Sequence, residues 1–225
     1  MTAVGTVVSA RTASTRLPGK ALLPLGGVPM IQFVLDRLRG TRLGGRIIFA
    51  TTERPDDDAL AEVVSDLGVP VFRGADADVA GRYLGASKAF GLDWIVRVTA
   101  DCPFVDADSL DHCLGQWGAR RRADIVSTKG VFPTGIDYEL FPTALLAEEW
   151  PKMTPDEKEH LTLRFYRDDL GFVVERFSCP HKWPRVRSSF TVDTPADYAR
   201  AKERVAHLDG RRFSVQRLLE LPEDA

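Results

Sequence analysis

The 225-residue chain is 44% hydrophobic and 28% charged, the size and composition of one soluble α/β domain with a real core. A formal net charge of −2 argues against wholesale binding to nucleic acid or an acidic membrane, so an anionic ligand must be met by locally placed Arg and Lys. The three cysteines, Cys102, Cys113 and Cys179, are too few and too far apart for a disulfide framework or a zinc site.

Short apolar runs alternate with helical patterns from the start. Val4 to Ser9 reads as a strand ending in a polar loop, and Pro29 to Leu38 as a helix with Pro29 in its first turn and Gly40 at its end. Arg46 to Thr52 is a strand, Asp58 to Leu67 a helix, Val69 to Arg73 a short strand and Val79 to Phe90 a helix. Trp94 to Thr99 is the strongest internal strand, followed by a helix from about Asp106 to Trp117. Alternation of this kind predicts a mostly parallel sheet with helices on both faces and ligands at the carboxyl ends of its strands.

Beyond residue 123 the pattern loosens. Asp124 to Ser127, Asp137 to Phe141, Phe172 to Phe177 and Ser189 to Val192 read as strands, and Glu157 to Asp168 as a helix. Thr194-Pro195 marks a further helix start. Arg120 to Arg122 reads as a solvated helix end. No repeat or linker divides residues 1–225, so a single domain with a small inserted lobe in the second half is expected. No apolar run approaches a bilayer span, and Met1 to Val8 lacks the basic and long apolar regions of a signal peptide; a cytoplasmic protein with reduced thiols and no membrane partner is expected.

The loop Ala10-Arg-Thr-Ala-Ser-Thr-Arg-Leu-Pro-Gly-Lys20 follows the first predicted strand. Arg11, Arg16 and Lys20 would offset phosphate charge, while Ser14, Thr15 and loop N–H groups would bond phosphate oxygens. Gly19 allows a tight turn before Lys20. A solvated basic loop is the plainer alternative; its position and its close-set small polar residues favour phosphate binding.

In Arg97-Val-Thr-Ala-Asp101, residues 97, 99 and 101 fall on one strand face. A polar face on a central parallel strand is costly unless it lines a site. Asp101 at the strand's carboxyl end is therefore a metal-ligand candidate, against the alternative of a loop or capping aspartate. Asp193 repeats the arrangement after Ser189 to Val192, although Asp-Thr-Pro also suits a helix entry.

The loop resembles the A-R-x-G-S-x-R-L-P-G-K signature of CMP-sugar synthetases, particularly the spore-coat polysaccharide (SpsF-type) cytidylyltransferases, with a close variant in CMP-KDO synthetases. The similarity runs on through Leu25-Gly-Gly-Val-Pro-Met, Val71-Phe-Arg-Gly, Arg97-Val-Thr-Ala-Asp-Cys-Pro and Val192-Asp-Thr-Pro. Ala13 stands where the family pattern has Gly. The resemblance implies a Rossmann-like, nucleotide-diphospho-sugar transferase-like α/β fold and transfer of CMP from CTP to a small anionic acceptor, with release of pyrophosphate.

It further implies Mg2+ held by Asp101 and Asp193, in keeping with magnesium's few protein carboxylates. Arg11, Lys20 and Asp101 would act in catalysis, and Ala10, Arg11, Ser14, Arg16, Lys20, Thr99 and Ala100 would bind the nucleotide. Arg73, Arg82, Asp137 and Glu139 would meet the acceptor, in segments resembling R-G-x-x-x-D-V-x-x-R and P-x-G-L-D-V-E. A solvated arginine and an exposed strand face are the plainer readings of Arg82 and of Asp137 with Glu139. The acceptor is left open among sugar acids, sugar phosphates and phosphonates, and relatives imply a homodimer. Glu159-His-Leu-Thr162 resembles the family's E-H-V-T, but His160 is not assigned as a base.

Two other readings compete. Asp76 and Asp78 imitate the metal motif of nucleotide-sugar glycosyltransferases, and a silent nucleotide-binding protein would share the loop. Asp56-Asp57-Asp58, between a strand and a helix, is explained by the helix dipole.

Overall fold

The computed structural model describes residues 2–117, 123–180, 183, 188–208 and 210–222; Arg120 to Arg122 lie outside them. In chain order the elements are β1 (Val4–Ser9), β2 (Pro24–Leu25), β3 (Val28–Pro29), α1 (Met30–Leu38), β4 (Arg46–Thr52), α2 (Asp58–Asp66), β5 (Val71–Gly74), α3 (Val79–Ala89), β6 (Trp94–Thr99) and α4 (Ala107–Trp117). The second half adds β7 (Ile125–Ser127), β8 (Glu139–Pro142), α5 (Thr143–Glu149), α6 (Pro155–Glu159), β9 (Val174–Arg176), α7 (Pro195–Ala206) and α8 (Val215–Leu219).

Seven strands form one sheet in the order β5-β4-β1-β6-β8-β7-β9. β1 pairs in parallel with β4 and β6, and β4 with β5, while β8 runs antiparallel to both β6 and β7. The sheet is therefore mostly parallel, as the alternation of apolar runs and helices predicts. Val7, Ile48 and Ile95 face α3 and α5, whereas Val8, Phe49 and Val96 face α1, α2 and α4. Each of these strands sends apolar residues to both sides because helices cover both, and each such Val or Ile contributes about 2 kcal/mol on burial. A third apolar cluster joins α1 to α7 and α8 through Phe33, Phe104, Phe190 and Val205.

Two expected elements differ. The helix expected over Glu157 to Asp168 is only α6, followed by two 3₁₀ turns, Arg164–Tyr166 and Asp168–Leu170. His160, at φ −104° and ψ 62°, leaves helical geometry and ends α6. Ser189 to Val192 joins no ladder. The amide of Phe190 donates to Thr134 O and that of Val192 to Asp101 O, so its hydrogen bonds go to two different segments. This splice carries Asp193 to the end of β6. Thr194 then caps α7 in a capping box with Asp197, with Pro195 in the first turn.

Candidate active site

A cleft of about 380 Å³ opens at the carboxyl ends of β1 and β6. One wall is the loop after β1. Thr12 anchors it: its amide and hydroxyl both donate to Asp57 Oδ1, at 2.7 and 2.6 Å. Thr12 O in turn accepts the amides of Ser14 and Gly19, which closes the loop on itself. Gly19 sits at φ 65°, a conformation costly for any other residue. Ala13 is exposed on the cleft's lip. Among the described residues no non-glycine has positive φ, so the loop's path does not require glycine at position 13.

Asp57 is fully buried; burial would raise its pKa, but hydrogen bonds from Thr12 and Thr52 bring it below the usual carboxylate value. The helix dipole therefore does not account for the whole Asp56-Asp57-Asp58 run. Its middle member ties the loop to β4.

Lys20, the last residue of the same loop, reaches the end of β6: its Nζ lies 3.2 Å from Asp101 Oδ2, 2.8 Å from Asp193 Oδ1 and 3.0 Å from Val192 O. Arg16 adds a contact of 3.2 Å to the same Asp193 oxygen. Burial works against charge on Lys20, yet Asp101 and Asp193 raise its pKa overall. Burial likewise opposes charge on Asp101, but Lys20, Thr99 and Arg97 hold its pKa below the usual range. Lys20 and Asp101 are therefore both charged at neutral pH. Two carboxylates brought together at the mouth of an open cleft are hard oxygen donors, the right chemistry for Mg2+ or Mn2+, with further positions left for phosphate oxygens and water.

The structure brings Ala10, Arg11, Ser14, Arg16, Lys20, Arg82, Thr99, Ala100, Asp101 and Asp193 to this one cleft. Arg11 reaches across it, donating to Asp76 Oδ1 at 3.1 Å and Glu159 Oε1 at 2.6 Å. Ser14 Oγ accepts the Leu17 amide. Three acceptor candidates stand elsewhere. Arg73 is spent on Asp58 at 2.6 Å and on the carbonyls of Thr52 and Arg54. Asp137 accepts the Gly135 amide, and burial raises its pKa. Glu139 is 1% exposed and bonded to Arg97, Lys129 and Tyr166, so it does not stand on the exposed strand face of the plainer reading.

Asp78 caps α3 and accepts Trp150 Nε1, and Asp76 holds Arg11 and Arg54. Both carboxylates of the glycosyltransferase-like motif are thus engaged. Arg97, Glu159 and His160, which carry no expected role from the sequence, also line the cleft. Arg97 had a signal, because period two places it with Thr99 and Asp101. Glu159 and His160 had none beyond their family motif.

A model of the family described as cytidylyltransferase matches residues 6–168. The chain belongs to the cytidylyltransferase family. Among curated relatives of this cytidylyltransferase, an uncharacterized protein of Methanocaldococcus jannaschii is 32% identical over 95% of this chain and 88% of its own. The spore coat polysaccharide biosynthesis protein SpsF of Bacillus subtilis is 29% identical over 87% of this chain and 83% of its own. Among solved structures, a cytidylyltransferase from Leptospira borgpetersenii superposes with a TM-score of 0.91 at 31% identity, covering 98% of this chain and 93% of that one. CMP:2-keto-3-deoxy-manno-octonic acid synthetase complexed with CTP superposes with a TM-score of 0.71 at 18% identity, over 92% and 99% of the two chains, and shares the fold. No described helix of this family member is long and apolar enough to cross a membrane.

Proposed function

We propose that this cytidylyltransferase moves CMP from CTP onto a small anionic acceptor, releases pyrophosphate and depends on Mg2+. The observation that carries this reading is the meeting of Lys20 of the cationic loop with Asp101 and Asp193 in one cleft. The acceptor oxygen attacks the α-phosphorus in line; the bond from that phosphorus to the bridging oxygen breaks, and pyrophosphate leaves with the electron pair.

Arg11 and Lys20 bind the triphosphate and stabilise charge on the leaving pyrophosphate. Arg16 and Ser14 place the phosphates, and Thr99 with the backbone of Ala10 and Ala100 faces the nucleoside. Asp101 and Asp193 would hold Mg2+, which when bound supplies Lewis-acid charge neutralisation at the phosphate oxygens. Arg82, buried and tied to the carbonyls of Ala75 and Asp76, faces the acceptor. The cleft draws on residues from Ser9 to Asp193, which supports reading residues 1–225 as a single domain.

The test is pyrophosphate release from CTP with magnesium across sugar acids, sugar phosphates and phosphonates, with UTP, ATP and dTTP alongside. CTP-specific release with one acceptor class is the expected result. Tight CTP binding without release on any acceptor would leave a binding protein instead.

A further inference from the structure

Among the described residues, three buried side-chain polar atoms lack a hydrogen-bond partner: Thr51 Oγ1, Arg82 Nε and Arg97 Nε. Two of the three belong to arginines that line the same cleft. A buried donor left unpaired is expensive, so a pair of them at one cavity marks a place where a ligand completes the bonding.

Arg97 is the more telling of the two. It sits on β6, two residues before Thr99 and four before Asp101 on the same strand face, with its side chain 20% exposed. Its Nη1 donates to Glu139 Oε2 at 2.7 Å. The unpaired Nε–H lies on the other edge of the guanidinium, the edge that takes both oxygens of a carboxylate side by side.

Glu139 is fixed independently of Arg97. Its Oε1 accepts from Lys129 Nζ at 2.9 Å and from Tyr166 at 2.7 Å. Burial alone would raise its pKa, but Arg97 and Lys129 hold it below the usual range, so it is ionised. A fixed anion behind the arginine sets the plane of the guanidinium and offsets one positive charge. What remains is a planar donor edge suited to a singly charged, planar anion rather than to a compact dianion.

We propose that Arg97 reads the carboxylate of the acceptor and that Glu139 is the residue that orients Arg97 for it. The assignment rests on the transferase reading above and adds the group of the acceptor that is recognised and the residues that recognise it. It also gives Glu139 a positioning role in place of direct contact with the acceptor.

The test compares each sugar acid of the panel, beginning with 2-keto-3-deoxy-manno-octonate, with its neutral carboxamide. Binding is read by calorimetry on the whole protein, and KM and kcat are read wherever turnover occurs. The wild-type chain prefers acid over amide by about 30-fold, the usual scale for a charged hydrogen bond lost from a built site. In Arg97→Gln this preference falls to about threefold or less, while CTP affinity changes less than about twofold. Arg97→Lys, which keeps the charge beside Glu139 should the glutamine variant fail to fold, loses the preference in part because it lacks the planar fork. Glu139→Gln raises KM for the acid more than for the amide and leaves kcat nearly unchanged; a merely structural role would move both substrates together.

An acid–amide ratio unchanged in both Arg97 variants overturns the proposal, as does failure of every panel acid to bind the wild-type protein. A preference for phosphonates that Arg97→Gln abolishes would also overturn the carboxylate assignment. Binding without pyrophosphate release would sink the transferase reading and leave this result standing.

Discussion

Two clusters of charge in this molecule use the same residue types and have opposite characters. In the lobe after β8, Arg164 bonds Glu149 at 2.7 Å and lies 3.4 Å from Glu157, and all three side chains are less than 10% exposed. Arg167 and the Thr154 capping box complete Glu157, and Lys152 completes Glu149. In the cleft, Lys20 spans Asp101 and Asp193, whose side chains are 30% and 28% exposed and face open space. The closed cluster saturates its partners and fixes backbone. The open one leaves its carboxylates partly exposed to the cleft. What separates a structural network from a site is whether its bonding can be exchanged, not how many ion pairs it holds.

Substitutions should split along that line. The largest effect is expected for Asp101→Ala, which should lower kcat about a thousandfold or more, or about 4 kcal/mol of barrier, with little loss in melting temperature. Near-normal turnover would remove Asp101 from the mechanism. In the lobe the signs reverse. Arg164→Ala strands Glu149 and Glu157 and should cost about 3 kcal/mol of stability, read from the urea midpoint, with kcat of the folded fraction unchanged. A comparable fall in kcat would erase the contrast between the clusters.

The lobe also sets an acid limit. Burial opposes charge on Glu149 and Glu157, yet Lys152 and Arg164 on the first, and Thr154 with Arg167 on the second, depress both pKa values below 4.5. A depressed carboxylate stabilises the fold above its unfolded pKa, and that contribution is lost as pH falls through the folded value. Stability should therefore decline below about pH 4.5, and Glu157→Gln should flatten the decline in acid-unfolding curves. The smallest effect concerns Arg11. Glu159→Gln removes one of its two partly exposed ion pairs, leaving Asp76, and should lower KM for CTP about two- to threefold, the scale of a partly screened ion pair. A rise in KM would mean that Glu159 aims Arg11 rather than competing for it.

Legibility from sequence followed how local the cause was. β1, β4 and β6 were readable as short, β-rich runs with apolar residues pointing both ways, and the loop after β1 because its cations crowd into ten positions. The helix pattern at Glu157 to Asp168 misled because Leu161 and Phe165, four apart, are both buried, yet the chain satisfies them through 3₁₀ turns after His160. Arg73 and Arg82 looked alike in sequence, each beside the 74–78 loop. Only the tertiary structure sends the first to Asp58 and the second into the cleft. Asp57 looked like a helix-start acid because its partners, Thr12 and Thr52, lie on two other segments.

The bond from the Val192 amide to Asp101 O has a consequence for the order in which the protein becomes able to act. Lys20 and Asp193, which it helps to bring together, are separated by 173 positions. Contacts of that separation are the slowest to close. A chain emerging from its amino end has the first β-α units, the cationic loop and Asp101 long before Asp193 exists. Gly135, at φ 87°, packs so tightly against residues 190 and 191 that an added Cβ would lie 2.5 Å from their backbone. Docking of the 189–192 segment is therefore expected to come late in folding, and Gly135→Ala should slow it, read as a longer refolding phase.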